Sequence, residues 1–238
     1  MAVRVLTLCV LAATSALSMA GCGGGTSGSA VPTAEQLASS LVTADDHDGE
    51  WTVNSAPDDP AMPPSGVVSP EQQDMLPALE MCDAAGARSR AAADGLRWKA
   101  FRQLDLTEDD PIAPPGDRTG HMIFVQEFLT SGESAEIERT FGLLRDGMKA
   151  CLGDIPAGEE GPGTAKAMTV PGVGDDRYGV LMTVQEAGGW AEWRLHNTLV
   201  RQGAVLMLMD VVEIRAGVAP HYSVDEVGTF VTTAVDKL

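Results

Sequence analysis

The stretch RYGVLMTVQEAGGWAEWRLHNTLVRQGAVLMLMDVVEI, residues 177–214, decides the fold. It contains three strand-like runs, at residues 177–186, 190–201 and 204–214. Short glycine-containing links, Gly188-Gly189 and Gln202-Gly203, separate these runs. Links of this length are typical of β-hairpins, and hairpins join antiparallel strands. The region therefore predicts an antiparallel meander of three strands.

Two amphipathic helices flank the meander. Residues 134–152 carry apolar side chains at spacings of three and four, which predicts a helix with one buried face. Ser223 and Glu226 form a capping-box pattern, which predicts a last helix reaching the end of the chain. The buried faces are expected to contain Ile137, Phe141, Leu144, Met148 and Cys151 in the first helix, and Val224, Val227, Val231, Ala234 and Leu238 in the second.

The preceding elements complete an α+β domain. A capping box at Thr33 opens a helix through about Leu41, and a helix from Ser69 to Cys82 is kinked or split by Pro77. Strands are expected at 51–53, 96–106 and 122–129, and loops at 55–68, 108–119 and 153–174. This order predicts an antiparallel sheet of about five to six strands with helices packed on one face.

Residues 1–21 are typical of a secretory signal peptide, with Arg4 before the apolar run Val5–Leu17. Ser18-Met19-Ala20-Gly21-Cys22 matches a bacterial lipobox, in which the cysteine receives diacylglycerol. The alternative is an ordinary signal peptide that leaves Cys22 as a free thiol. Residues 22–33 form a Gly/Ser-rich tether to a single domain at 34–238. We expect lipid anchoring through Cys22 on the extracytoplasmic face of the cell membrane.

The chain has four cysteines, of which Cys9 leaves with the signal peptide and Cys22 takes the lipid. Cys82 and Cys151 remain, and a disulfide is the default for two thiols in an oxidising compartment. Such a bridge closes a loop of about 70 residues and stabilises the fold by roughly 4 kcal/mol in the chain-entropy model. A metal or redox pair is the alternative, but there is no CxxC spacing and no nearby histidine.

The charge balance excludes a generic nucleic-acid binder. The chain has 16 basic and 34 acidic side chains, a net charge of −18, whereas binding to phosphates needs basic surface. The acidic segment Asp45–Glu50 fails as an EF-hand, because Ala44 and Ser55 would occupy ligand positions that need acids. No nucleotide-binding, hydrolase or metalloprotease motif is present. We therefore expect no cofactor, no metal and no catalytic residues.

Two groups of side chains are candidates for binding. Trp190, Glu192, Arg194 and His196 share one parity of a strand, opposite to the predicted core residues Ala191, Trp193 and Leu195. The first set is either a binding face, with Arg194 holding a carboxylate and Trp190 stacking, or an ordinary solvated sheet face. The methionines Met122, Met182, Met207 and Met209 either line a lipid-accepting cavity or pack in the core.

The chain resembles the actinobacterial sensor-domain lipoproteins related to the extracellular domain of the mycobacterial Ser/Thr kinase PknH. The resemblance lies in the order and spacing of Leu37–Val42, Trp51, Leu79–Cys82, Arg145–Cys151, Val170–Asp175 and Gly203–Leu206. It implies an extracytoplasmic binding or sensing module with a sheet-and-helix groove and no catalytic residues to transfer. This chain has fewer cysteines than the kinase's domain, and it has no kinase domain from which phosphorylation could be inferred.

The leading hypothesis is a non-enzymatic extracytoplasmic domain that binds a small molecule, an envelope component or a protein partner. The alternative is a carrier of lipid or another apolar molecule in the cell envelope. A cavity on the order of 300–1,000 Å³, lined by Met and Leu, supports the carrier, and a solid core contradicts it. An enzyme would require a base and a nucleophile that converge in a pocket, and no recognised spacing indicates such a pair.

Overall fold

The computed structural model describes residues 30–53, 65–76, 79, 81–107, 120–156, 161–186, 191–216 and 222–238. Within these ranges the helices are α1 (Ala34–Ser40), α2 (Gly86–Gly95), α3 (Ser134–Ala150) and α4 (Val224–Asp236). The strands are β1 (Thr52–Val53), β2 (Gly66–Val67), β3 (Ala100–Thr107), β4 (Gly120–Ser131), β5 (Gly153–Ile155), β6 (Gly163–Met168), β7 (Asp176–Gln185), β8 (Ala191–Gln202) and β9 (Val205–Ala216). Short 3₁₀ helices lie at Ala44–Asp46, Pro70–Met75 and Asp83–Ala85.

The strands form one antiparallel sheet with the order β1-β3-β4-β9-β8-β7-β6-β5, and β2 also pairs with β3. The predicted meander is confirmed as β7, β8 and β9, which pair in sequence order. Residues 203–204 join β8 to β9, and Gly203 adopts a φ of 57°, a conformation that glycine tolerates best. This hairpin places the two long strands β8 and β9 at the centre of the sheet.

The sheet is larger than the sequence predicted. Within the described residues it has nine strands, so the expectation of five to six was wrong. The predicted loops contain β2, β5 and β6, which are short or poor in β-branched residues. Peripheral strands of this kind are specified by their neighbours in the sheet and not by a local apolar pattern. The short strand predicted at Trp51–Val53 is confirmed as β1.

Helices cover both faces of the sheet, which corrects the prediction that they cover only one. Alternate residues of β4 and β9 belong to two separate core clusters, and successive strand residues point to opposite faces. The first cluster joins Val125 and Met209 to residues of α1 and α4. The second joins Phe128 and Leu208 to residues of α3. We call these the closed face and the groove face.

The predicted capping boxes and the long amphipathic helix are confirmed. Thr33 caps α1 and Ser223 caps α4, each with the reciprocal hydrogen bond expected of the motif. In α3 the stripe of Ile137, Phe141 and Leu144 is buried, as the periodicity predicted. The helix is one or two residues shorter than expected, because Cys151 forms its C-cap.

The helix predicted from Ser69 to Cys82 is wrong beyond its first turns. A 3₁₀ helix occupies Pro70–Met75, and Leu76 is already extended. The residue before a proline avoids the helical region, so Pro77 accounts for the end of the helix. The helix in this part of the chain is α2 instead, which the sequence analysis missed because its apolar residues are mostly alanine.

The predicted disulfide joins Cys82 to Cys151, with the two Cα atoms 5.6 Å apart. It ties the C-terminal end of α3 to the segment that leads into α2. Nearby, a Cβ atom on Gly147 would lie 2.7 Å from Ser89 Cβ and 2.9 Å from Met81 Sδ. Glycine at this position therefore lets α2 and Met81 pack directly on α3.

A candidate ligand-binding groove

A groove of about 490 Å³ lies between the groove face of the sheet and the C-terminal end of α3. The disulfide forms part of its wall, and the sheet forms its floor. Its lining is mainly apolar and is built from Leu79, Met81, Cys82, Gln126, Phe128, Met148, Cys151, Ile155, Ala165, Val180, Met182, Leu195, Asn197, Leu208, Asp210 and Val212. This volume is in the range of small-molecule sites, which is roughly 300–1,000 Å³.

The groove exists because α3 covers only part of the sheet. At one end of the central strands, Phe128, Leu206 and Leu208 are buried in a cluster with α3 residues. Further along the same strands, the side chains of Gln126, Asp210 and Val212 face the groove. They are only partly buried, because no helix of the described residues covers them.

A row of four polar side chains crosses the groove face. Asn197 of β8 pairs with Asp210 of β9, Asp210 pairs with Gln126 of β4, and Gln126 pairs with Gln103 of β3. Asn197 Nδ2 donates to Asp210 Oδ1 at 2.5 Å, and Gln126 Nε2 donates to Gln103 Oε1 at 2.8 Å. We call these four residues the polar row. Three of them, Asn197, Asp210 and Gln126, line the groove.

Asp210 is the charged residue of the polar row. Burial raises the pKa of its carboxyl to about 7, and the hydrogen bond from Asn197 opposes this effect only in part. Among the described residues that line the groove, no basic side chain is present to stabilise the ionised form. The groove thus contains an acidic group that changes its charge near neutral pH.

A second chamber of about 300 Å³ continues the groove. Met182, Leu195 and Val212 line both chambers, so the two are contiguous. Trp193 and Arg194 line the second chamber. Trp193 is 37% exposed, and its assignment to the core was therefore wrong. The side chain of Trp193 lies on the opposite face of β8 from Glu192, as predicted. That side chain faces the second chamber and not a packed interior.

The four residues of the predicted binding stripe do not share one environment. Trp190 lies outside the described residues. Arg194 Nε lies 3.0 Å from Glu192 Oε1 in a half-buried ion pair. His196 is 1% exposed, so the alternative of a solvated face does not hold at this position. A binding role for the stripe stays a prediction.

His196 belongs instead to a buried cluster of two histidines and a glutamate on the closed face. Its Nε2 lies 3.8 Å from Glu213 Oε2, and His121 Nε2 lies 3.6 Å from Glu213 Oε1. The backbone N–H of Tyr222 donates to Glu213 Oε1 at 2.7 Å. Burial acts to raise the pKa of Glu213, but the two nearby histidines and the hydrogen bond from Tyr222 outweigh it and hold the pKa at about 2. The cluster connects β4, β8, β9 and the entry to α4.

A second buried carboxyl holds α1 against the closed face. Glu127 is fully buried, and its Oε2 accepts a hydrogen bond from the backbone N–H of Val42 at 2.8 Å. Arg102 donates to the carbonyl oxygen of Val42, also at 2.8 Å. Burial raises the pKa of Glu127 to about 7, although Val42 and Arg102 both act to lower it. These contacts are structural, since they anchor the chain that follows α1.

Within the described ranges, no group of three or more His, Cys, Asp or Glu side chains has an arrangement that could hold a metal ion. In the acidic segment, Asp46 accepts hydrogen bonds from Thr43 and from Lys237. The hydrogen bond with Lys237 is the largest cause that lowers the pKa of Asp46, to about 2. The segment therefore joins the start of the domain to its last helix.

The four candidate methionines separate into two groups. Met207 and Met209 are completely buried in the closed-face core, as the packing alternative predicted. Met182 lines the groove, as the cavity alternative predicted. Met122 lies on the groove face but is not among the residues that line the groove.

The sequence analysis missed the polar row. Asp210 is an isolated acidic residue within the apolar run VLMLMDVV at 205–212. A lone carboxylate in such a run is the signal that could have revealed the site, because buried charges need a reason. Its partners could not be identified, because they lie on three other strands.

Solved structures of mycobacterial proteins resemble this chain. The extracellular domain of PknH from Mycobacterium tuberculosis is 16% identical over 87% of this chain and 96% of that chain, with a TM-score of 0.46. In the order of its elements the chain is similar to that domain. LpqN of Mycobacterium tuberculosis, which is involved in cell envelope biogenesis, is 11% identical over 82% of this chain and 91% of that chain, with a TM-score of 0.26.

These findings confirm the resemblance that the order of the elements predicted. At such identities the likeness concerns the fold alone. No protein-family model matches the chain, and no curated protein matches its sequence. In the described part of the chain, none of the helices has the length and apolar character needed to cross a membrane.

Proposed function

We propose that this protein is a lipid-anchored extracytoplasmic binding domain without catalytic activity, and that the groove is its ligand site. The observation that carries the proposal is the groove of about 490 Å³, whose apolar walls surround three polar side chains. Ligand pockets combine mainly apolar walls with a few placed polar groups in this way. The proposal assigns binding to the groove because its described lining contains one titratable side chain, Asp210, and no base beside a nucleophile.

The lipobox supports the anchor. Cys22 and the signal peptide lie outside the described residues, so the support comes from the sequence. Replacing Cys22 by Ala is expected to move the protein from the membrane fraction to the soluble fraction of the native host. Retention of the variant in the membrane fraction after a high-salt wash would contradict the anchor.

A carrier of a lipid or another apolar molecule is the second candidate function. Met81, Met148 and Met182 line the groove, and flexible thioether side chains adapt to apolar ligands of variable shape. The second chamber extends the apolar surface, so the two chambers together suit an elongated ligand. A carrier transfers its ligand to a second membrane or protein, whereas a binding domain that acts as a sensor retains it.

The ligand site is tested by native mass spectrometry of the chain from residue 23 onward, secreted by its native host behind an ordinary cleavable signal peptide. We expect an additional mass of a few hundred daltons that is lost on denaturation. Val212→Trp is the blocking variant, because Val212 lines both chambers. Val67→Trp is the matched control, since Val67 is 43% exposed on β2.

The expected result is a bound mass in the wild type and in Val67→Trp, and a bare chain for Val212→Trp. A bound mass that survives in Val212→Trp would place the ligand outside the groove. Transfer separates the two functions: a carrier delivers the bound molecule to added vesicles within minutes, whereas a sensor retains it.

A further inference from the structure

The side-chain orientations of Gln103 and Gln126 are fixed by Asp105, which lies next to the polar row on β3. An ionised carboxylate can only accept hydrogen bonds. Gln103 Nε2 donates to Asp105 Oδ1 at 2.7 Å. The carbonyl oxygen of Gln103 therefore points the other way, and it accepts from Gln126 Nε2 at 2.8 Å. Gln126 thus uses its amino group within the row, which leaves its carbonyl oxygen without a hydrogen bond among the described residues.

At the other end of the row, on β8, Asn197 also keeps an acceptor oxygen. Asn197 donates its Nδ2 to Asp210 Oδ1, so its carbonyl oxygen also lacks a hydrogen bond among the described residues. Asp210 Oδ2 has none either. The amide nitrogens of Asn197 and Gln126 each keep one further hydrogen that could be donated. The only charged group among these three side chains is the carboxylate of Asp210, so the site favours a cationic donor. Three acceptor oxygens from three adjacent strands thus remain in the part of the row that lines the groove.

We infer that Asp210, Asn197 and Gln126 form a binding site for the primary ammonium head of an amphiphile whose apolar body occupies the groove. The inference rests on the proposed function, since it assigns a ligand class to the same groove. An ammonium group has one positive charge and three N–H donors, which complement one carboxylate and two carbonyl oxygens. An anionic head group would place a second negative charge beside Asp210.

Three features of the molecule strengthen this complementarity. The walls beside the row are mainly apolar, and charge-assisted hydrogen bonds are stronger in such surroundings than in bulk water. The carboxyl of Asp210 has a pKa raised by burial, so its ionised form gains from a cationic partner. At a distance, the net charge of −18 draws cations toward the domain.

The test compares three probes with the same twelve-carbon chain, all used below their micelle concentrations: dodecylammonium, dodecyltrimethylammonium and dodecyl sulfate. The protein is the chain from residue 23 onward, and binding is measured by isothermal titration calorimetry at pH 8. Dodecylammonium is expected to bind at least tenfold more tightly than dodecyltrimethylammonium, which has the charge but no N–H donors. Dodecyl sulfate is expected to bind most weakly.

Asp210→Asn keeps the shape and the hydrogen bond from Asn197, and it is expected to weaken dodecylammonium binding at least tenfold. Asp154→Asn is the control, because it removes the same charge from an exposed position on β5. Gln126→Met provides a second test that retains Asp210 and removes one acceptor, with an expected loss of about threefold or more. Thermal unfolding checks that each variant is folded.

Equal affinities for dodecylammonium and dodecyltrimethylammonium would overturn the inference, as would an unchanged affinity in both Asp210→Asn and Gln126→Met. In these cases the alkyl probes still bind, so the groove remains a ligand site and the proposed function stands. If none of the three probes binds, and native mass spectrometry finds a bare chain, the proposed function fails together with the inference.

Discussion

The two faces of the central strands are made from similar residues but are covered to different extents. On the closed face, α1 and α4 seal a core in which Val125 and Met209 are completely buried. On the groove face, α3 covers one end of the strands and leaves about 490 Å³ beside the other end. The difference teaches that the extent of helical cover, and not the apolar character of the strands, creates the candidate site.

The same contrast appears in two carboxyl groups of β9. Glu213, on the closed face, has two histidines 3.6 and 3.8 Å away and accepts a hydrogen bond from a backbone N–H, and its pKa is lowered to about 2. Asp210, on the groove face, has one amide partner, and burial raises its pKa to about 7. Partners therefore decide the direction of each shift, since burial alone would raise both. The closed-face carboxylate is surrounded by partners from the fold, whereas the groove-face carboxylate has a single amide partner.

The largest expected effect comes from the disulfide at the wall of the groove. Replacing Cys82 and Cys151 by Ala together is expected to lower the free energy of unfolding by about 4 kcal/mol, because the bridge closes a long loop. Urea denaturation measures this loss. Hydrogen exchange should show that amides at the end of α3 lose more protection than amides of α4. An equal loss of protection in both helices would contradict the division into two faces.

A matched pair of methionines compares packing on the two faces. Met209→Ala is expected to lower the free energy of unfolding by about 3 kcal/mol, because its side chain is completely buried in the closed-face core. Met182→Ala is expected to cost about 1 kcal/mol or less, since Met182 is only partly buried and lines the groove. Both values come from chemical denaturation. Equal losses would mean that the groove is as tightly packed as the closed face.

Glu213, the closed-face carboxylate, makes the free energy of unfolding depend on pH in the acidic range. The pKa of Glu213 is lower in the folded state, so its contribution is present above pH 4.5 and is lost as the pH falls toward 2. Glu213→Gln is expected to destabilise the protein by about 2–3 kcal/mol at pH 7 and by progressively less at lower pH. The exposed Glu138→Gln is the control. A loss that is the same at pH 7 and pH 2.5 would show that ionisation of Glu213 is unimportant.

Asp210, the groove-face carboxylate, has the opposite effect on the pH dependence of stability. Its replacement is expected to give the smallest change in the free energy of unfolding. The pKa of Asp210 is higher in the folded state, so the protein loses stability as the pH rises from about 4 through 7. Asp210→Asn is therefore expected to stabilise the unliganded protein by about 1–2 kcal/mol at pH 8, with no gain at pH 4. Thermal denaturation at the two pH values measures the difference. A destabilised variant at pH 8 would indicate that the hydrogen bond from Asn197 outweighs the effect of burial on the ionised carboxylate.

Much of the secondary structure was predictable because its signals are local. The capping boxes at Thr33 and Ser223, the stripe of α3 and the strand-like runs with short links in β7 to β9 each depend on nearby residues. The disulfide was predictable by elimination, since two cysteines remained for an oxidising compartment. The resemblance to a PknH-like domain was also available from the order of the elements.

The size of the sheet was not predictable from local pattern. β5 and β6 lie in a segment rich in glycine and proline, and they are strands because β7 offers a free edge. Trp193 was misassigned for a related reason. An alternating pattern divides a strand into two faces, but it does not state which part of a face a helix will cover.

The sequence by itself determined the anchoring hypothesis, the α+β class, the long helix and the meander, because each depends on residues adjacent in the chain. The tertiary structure alone decided the site. The polar row takes one residue from each of four strands, and the groove wall needs a bridge between cysteines 69 residues apart. These residues meet only when the sheet and α3 assemble, so their proximity, the volume between them and the charge of Asp210 are properties of the packed fold.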